Sequence, residues 1–223
     1  LSLKTGLLAT GASLMACFII LIYFADTPIM IKLSRLTAPL VAIPHSTIAV
    51  GLIFLLSPSG WMMRLISPYL TGLDQPPTWG LIPDHFGLAL VFGLIIKELP
   101  FLLLISLSAT SNFPLSRLLA LGMGLGYGKF TSWIFIILPL IYRQIRLPVF
   151  AVLVFSLSVV DMAMLLAPSL PPPLAILVLN GFHNADLSAR LPASFGAVVQ
   201  IGLVLIAVLA WKSFEKIFSA TIR

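Results

Sequence analysis

The sequence predicts an all-α polytopic membrane protein, and three observations lead to this fold class. Of its 223 residues, 60% are hydrophobic and 9% are charged, with a mean hydropathy of +1.12, which lies far outside soluble globular usage. Five apolar segments have the length of about 20 residues that a helix needs to cross a hydrocarbon core of about 30 Å. Strand-like alternation is not the dominant pattern, so helices, which satisfy their own backbone groups in lipid, are favoured over a barrel.

The predicted spans follow one another with mostly short connections. In chain order they are residues 7–25, 38–57, 87–109, 148–167 and 193–211. The two longer outside connections, residues 58–86 and 168–192, are too short for separate domains, and residues 1–223 are therefore treated as one transmembrane domain. We expect an interfacial helix near Trp61 in the first connection and a non-spanning apolar segment after Pro173 in the second. The first residue is Leu and the first span follows closely, so we expect an excerpt of a longer chain.

Lysine and arginine are distributed unevenly between the connections, which predicts the orientation, because positive charges near the ends of spanning helices are retained in the cytoplasm. If the connection after the third span is cytoplasmic, nine basic residues lie inside and three outside. The inside residues are Lys32, Arg35, Arg117, Lys129, Arg143, Arg146, Lys212, Lys216 and Arg223, and the outside residues are Lys4, Arg64 and Arg190. The N-terminus is therefore predicted outside and the C-terminus in the cytoplasm. The net charge of +6 follows from this topology, so nucleic-acid binding is not expected.

Cysteine and histidine give no sign of a metal site. The single cysteine, Cys17, lies within the first span, where it has no second thiol for a disulfide or a metal pair. His45, His85 and His183 are far apart in sequence and lack closely spaced carboxylates. We therefore expect neither a metal nor a cofactor on this chain.

Four polar residues within or beside the spans need an explanation, because a charge in the membrane costs several kcal/mol unless it is paired or hydrated. They are Lys97, Glu98, Asp161 and His45. Neighbouring positions on a helix point about 100° apart, so Lys97 and Glu98 should not neutralise each other. We predict a Lys97–Asp161 ion pair, with Glu98 facing the pathway or a partner subunit; a structural pair and a solute or gate contact are equally open. His45 follows Pro44, where a kink would let its ring line a passage, although a packed histidine is the stronger expectation.

Glycines alternate in the inside connection, residues 110–147, at Gly122, Gly124, Gly126 and Gly128. A phosphate-binding P-loop is excluded, because position 123 is Met and position 130 is Phe. The dinucleotide fingerprint fails as well. Glycines four positions apart instead indicate close approach between helices or a helix end.

The same connection carries a longer pattern. Gly126, which follows Leu125, is followed thirteen residues later by Pro139, and a hydrophobic run lies between them. This resembles the cytoplasmic coupling loop of type I ABC-importer permeases, the methionine-importer-like transmembrane family, whose pattern is Glu-Ala-Ala-x-x-x-Gly and then Leu-Pro thirteen residues on. The Glu-Ala-Ala positions differ here, and the acidic residue that would pair with the ATPase is missing. Those three positions are occupied by Ala120, Leu121 and Gly122. The rest of the pattern is carried by Gly126, with Leu125 before it, and by Leu138 and Pro139.

The likeness extends over about residues 40–211, including Pro100-Phe101 and residues 155–161. Within the family, the chain looks most similar to one half of the fused two-permease proteins grouped with thiamine and ferric-iron importers. The resemblance implies a multi-pass protein of the bacterial inner membrane that works by alternating access. It also implies a second permease unit, a periplasmic solute-binding protein, and a cytoplasmic ABC ATPase dimer that binds ATP-Mg and acts on residues 120–139.

The residues leave one main alternative to this interpretation. An ion-coupled secondary transporter would use Lys97, Glu98 and Asp161 as a proton or cation relay. A membrane-embedded hydrolase is disfavoured, since neither Ser-x-x-Lys nor His-Glu-x-x-His occurs. We therefore expect a transport protein and no catalytic residue on this chain.

Overall fold

The computed structural model describes residues 1–25, 27–76, 82 and 84–221, a part of the chain that contains helices and no strand. Arg223, one of the predicted inside charges, lies outside the described residues. The α-helices are α1 Ser2–Phe24, α2 Pro28–Ala42, α3 His45–Leu56, α4 Trp61–Ile66, α5 Leu88–Thr110, α6 Leu115–Gly124, α7 Lys129–Ser132, α8 Leu138–Ser158, α9 Asp161–Leu166, α10 Leu174–His183 and α11 Arg190–Thr221. A π-helical segment, Trp133–Ile137, joins α7 to α8, and a 3₁₀ turn, Leu187–Ala189, precedes α11.

Five helical stretches of the described chain are long and apolar enough to cross a membrane. They are Ser2–Phe24, His45–Ile66, Leu88–Thr110, Lys129–Ser158 and Leu187–Ile217. This confirms the predicted fold class, an all-α polytopic membrane protein with five spans. The first, third and fifth spans lie close to their predicted positions, whereas the second and fourth do not.

The predicted second span, one helix over residues 38–57, is divided between α2 and α3, so its bounds are wrong; the membrane-length stretch begins at His45. α2 ends at Ala42, the backbone is extended at Ile43 and Pro44, and α3 begins at His45. Proline has no N–H and disfavours helical conformation in the residue before it, so Pro44 ends α2 within an apolar run.

The fourth span begins at Lys129 rather than at residue 148 and ends at Ser158, and Val159 and Val160 separate it from α9. Pro139, which was predicted to lie in the connection of residues 110–147, is already in the first turn of α8. The preceding π-helical segment has a wider turn, which accommodates a proline ring that would clash with the carbonyl four residues back in an α-helix.

Helices α1, α5 and α8 form the centre of the bundle. α2 packs on α5, α3 packs on α9, and α10 packs on α11. One apolar cluster fills the end that carries α6, which is the predicted cytoplasmic end, and a second fills the opposite end. The first includes Leu21, Leu119, Trp133 and Ile141, and the second includes Ala9, Leu52, Leu90 and Met162.

Candidate functional site

The predicted coupling segment, residues 120–139, begins in the short helix α6 and continues into the first turn of α8. α6 stops at Gly124, and Gly126 has a φ of +85°, the left-handed conformation that glycine adopts most easily. The N–H of Gly126 donates to the Met123 carbonyl and the N–H of Tyr127 donates to the Gly122 carbonyl, both at 3.0 Å. These two bonds form a Schellman motif, which satisfies carbonyls that the helix end leaves open. Gly126 therefore fixes the direction in which the chain leaves α6.

Gly122 fixes the position of α6 against the next helix. A Cβ at Gly122 would lie 2.7 Å from the Ser132 Cβ and closer still to the Ser132 hydroxyl. A glycine is therefore required for α6 to approach α7 this closely. Leu119, one turn earlier, is buried in the same apolar cluster as Trp133. α6 is thus attached to the start of the fourth span by direct packing.

α6, the turn after it and the start of α7 expose a group of large apolar side chains, which we call the α6 patch. Its members are Leu121, Met123, Leu125, Tyr127 and Phe130, with exposed fractions from 47% to 73%. Ala120 lies beside it and is exposed. Leu138 and Pro139, by contrast, are half-buried in α8 and do not belong to this surface. The predicted loop residues therefore divide between an exposed helix and the membrane-length helix that follows.

Lys97 lies on α5 with its ammonium at the interrupted end of α2. It donates hydrogen bonds to the carbonyls of Leu40, at 3.2 Å, and Val41, at 2.7 Å, and a third to the carbonyl of Ile43. An ammonium has three N–H donors, so all three are used. The predicted Lys97–Asp161 pair is therefore not formed; sequence reasoning sought a carboxylate and missed carbonyls that a helix break had released.

Glu98 points to the other side of α5, into the centre of the bundle. Its carboxylate accepts hydrogen bonds from Ser13 of α1, at 3.2 Å, and from Ser156 of α8. Ser156 also lies 3.3 Å from the hydroxyl of Thr10. Glu98 is 4% exposed, so it does not face the pathway or a partner as predicted. The angle of about 100° between neighbouring helix positions was the correct element of that prediction.

His45 and Asp161 lie at the two interruptions. His45 is the first residue of α3, and its ring centroid lies 4.5 Å from that of Phe155 near the end of α8. Asp161 is the first residue of α9 and is exposed. Lys97 bonds to the Ile43 carbonyl, two residues before His45, and α3 packs on α9. Three of the four predicted polar residues therefore lie around the break between α2 and α3 and the break between α8 and α9.

Sequence reasoning missed a polar cluster between α8 and α11. Glu215 pairs with Arg146 at 2.8 Å and accepts a hydrogen bond from the Tyr142 hydroxyl. The Trp211 indole N–H donates to that hydroxyl at 3.0 Å. No local sequence motif predicts this cluster, because Glu215 is far in sequence from Tyr142 and Arg146. The serine partners of Glu98 had a weak signal, since Thr10, Ser13 and Cys17 recur at helical spacing on one side of α1.

No protein-family model matches the chain. The chain is similar to the inner membrane ABC transporter permease protein YnjC of Escherichia coli (strain K12), with 28% identity over 217 residues. The match covers 96% of this chain but 40% of the length of that relative. Over nearly its whole length, the chain is therefore similar to part of an ABC transporter permease.

Proposed function

We propose that the chain is a permease subunit of an ATP-driven importer, and that a separate ABC ATPase binds the α6 patch. The similarity to an ABC transporter permease supports the transporter class. The α6 patch carries the proposal for coupling, because contiguous exposed apolar side chains mark interaction sites. ATP-Mg would bind to the ATPase, and this chain would form the pathway.

The attachment of α6 explains how a movement of the ATPase would reach the membrane helices. Leu119 packs in one cluster with Leu21 of α1 and Trp133 at the start of the fourth span. Gly122 brings α6 directly against Ser132. A force on the α6 patch would therefore move these helix ends together, as in rigid-body transitions between two packed arrangements.

Two further partners belong to this proposal. A second permease unit would complete the pathway, either on the same polypeptide or on another one. The relative is long enough to hold two units of this size, since this chain covers 40% of it. A periplasmic binding protein would deliver the solute to the end opposite α6, and the exposed apolar sides of the spans would contact lipid.

The test uses two variants in the α6 patch, Leu121→Asp and Leu125→Asp. The tagged full-length protein is purified from its native cells in detergent, and co-purifying ATPase activity is measured. We expect a loss of about tenfold or more, the equivalent of about 1.4 kcal/mol of binding. Leu70→Asp is the matched control: Leu70 is 82% exposed but lies in the connection between α4 and α5, at the opposite end.

Retention of the ATPase by both patch variants, or its absence from the unsubstituted protein, would contradict the proposal. Orientation is tested separately by placing single cysteines at positions 125 and 70 after Cys17→Ala. A membrane-impermeant maleimide applied to intact cells should modify position 70 and leave position 125 unmodified. The reverse pattern would place α6 outside.

The ion-coupled secondary transporter is the competing proposal. It would need Lys97, Glu98 and Asp161 to exchange protons or cations. Two observations disfavour it. Backbone carbonyls use all three donors of Lys97, and Glu98 accepts hydrogen bonds from two serines. Uptake into vesicles driven by a proton gradient without ATP would favour this alternative over the importer.

A further inference from the structure

The break between α2 and α3 leaves backbone carbonyls without their helical partners. In a continuous helix, the Leu40 carbonyl would accept from the N–H of residue 44, but Pro44 has none. The carbonyls of Val41 and Ile43 are also released, because the chain is extended at Ile43 and Pro44. Within a membrane such carbonyls are costly, since no water is present to satisfy them.

Lys97 satisfies all three released carbonyls from a different helix. The ammonium donates to the carbonyls of Leu40, Val41 and Ile43, and the side chain is 8% exposed. A cation at a helix C-terminus also interacts favourably with the helix dipole. The lysine and the broken helix end therefore satisfy each other.

α2 packs on α5, but few of its residues are buried. Of its fifteen residues, Met30 and Thr37 are buried, and both lie before the segment that Lys97 contacts. By comparison, α5 buries residues along its whole length. The three hydrogen bonds of Lys97 are thus the main polar attachment of the interrupted end of α2 to the described bundle.

Glu98, the neighbour of Lys97 on α5, contacts a different part of the bundle. Glu98 bonds to Ser13 of α1 and Ser156 of α8, which are central helices of the bundle. Two adjacent residues of α5 therefore attach separate parts of the fold. Glu98 joins the central helices, and Lys97 joins the broken helix to them.

We propose that Lys97 is a positioning residue of the translocation pathway, whose ammonium caps the interrupted end of α2 in this conformation and releases it when the pathway changes conformation. This rests on the proposed permease function. Ile43 and Pro44 are the hinge, because they are the extended residues between two helices. In the capped state Lys97 has no donor left for a solute.

The test measures the position of α2 relative to α5 by pulsed EPR. Spin labels are placed at Leu36 of α2 and Phe92 of α5, both exposed, after Cys17→Ala in the full-length protein in lipid nanodiscs. Lys97→Met keeps the length of the side chain and removes its donors. We expect a second, displaced distance population, with the displaced-to-docked ratio raised by about tenfold or more, as loss of charged hydrogen bonds implies. Glu98→Gln should leave the distance distribution unchanged, because its partners lie on α1 and α8.

A second variant makes the inference specific to the broken helix end. Pro44→Ala restores an N–H that can donate to the Leu40 carbonyl, so Lys97→Met should displace α2 less in this background. It also keeps the test available if Lys97→Met alone fails to fold. An unchanged distribution in Lys97→Met, an equal displacement in Glu98→Gln, or an equal effect of Lys97→Met with and without Pro44→Ala would each overturn the inference. The measurement uses neither ATP nor solute, so its outcome is independent of whether an ATPase binds the α6 patch.

Discussion

Arg146 and Glu215 form an ion pair, with 2.8 Å between Nη2 and Oε2, that joins α8 to α11. The same carboxylate accepts from the Tyr142 hydroxyl, which in turn accepts from the Trp211 indole. α11 buries little of its apolar length in the described bundle. A polar cluster at one end therefore adds an ion pair and hydrogen bonds to the apolar packing that holds α11 against the bundle.

Glu215→Ala should loosen this helix. The substitution leaves Arg146 and Tyr142 without their shared acceptor, and we expect a loss of about 1–3 kcal/mol in stability. The measurement is unfolding of the purified protein in mixed micelles. Ser213→Ala is the control on the same helix, since its exposed hydroxyl bonds locally to the Leu209 carbonyl, and it should change stability by less than about 0.5 kcal/mol. Equal effects of the two variants would show that the cluster does not hold α11.

Gly122→Ala should displace α6, because the added Cβ would overlap Ser132. Gly124→Ala, two residues later, is the matched control, since a Cβ there meets nothing within 4 Å and alanine favours the helix by about 1 kcal/mol. We expect protease cleavage near residues 125–128 to become faster in the first variant and to stay unchanged or slow in the second. Ser132→Gly in the Gly122→Ala protein removes the side chain that the new Cβ would overlap, so it should restore part of the protection against cleavage. The same cleavage rate in both single variants would show that close packing at Gly122 does not position α6.

Much of this arrangement follows from local sequence, and the exceptions have physical causes. The lengths of the apolar runs located the first, third and fifth spans, because these helices end close to where the apolar runs end. The glycine spacing indicated close approach or a helix end, and both occur, at Gly122 and at Gly126. A kink was expected at Pro44, and the structure has a full break there; one proline lowers the mean hydropathy of an apolar run too little to show that the helix ends.

Partners distant in sequence account for the remaining errors. The fourth span was placed too late because arginines lower the hydropathy of its first half. Arg146 is accommodated there by Glu215, which is 69 residues away in sequence (215 minus 146). Lys97 was assigned to Asp161 because charge pairing considers side chains alone, whereas its partners are backbone carbonyls. Such partners become predictable only once the break in α2 is known.

Gly126 is expected to tolerate asparagine better than alanine. Its φ of +85° is unfavourable for residues with a Cβ, although asparagine adopts left-handed conformations more readily than most. No atom lies within 4 Å of a Cβ at this position, so the backbone alone determines the outcome. We expect Gly126→Ala to cost about 1 kcal/mol and Gly126→Asn to cost less, as measured by thermal unfolding in detergent. The opposite order would show that the Schellman motif does not limit stability here.

Glu98→Ala should weaken the contact between the three central helices. Without the carboxylate, Ser13 loses its hydrogen-bond acceptor at 3.2 Å and Ser156 keeps the Val152 carbonyl, at 2.7 Å, as its acceptor. A cavity also remains where the side chain was, so we expect a loss of about 2–4 kcal/mol. Glu98→Gln keeps the volume and one acceptor oxygen, and it should cost about half as much or less. Ser108→Ala, at an exposed position on the same helix, provides the control. The measurement is unfolding in mixed micelles, and a Glu98→Ala protein as stable as the Ser108→Ala protein would show that the carboxylate does not join α1, α5 and α8.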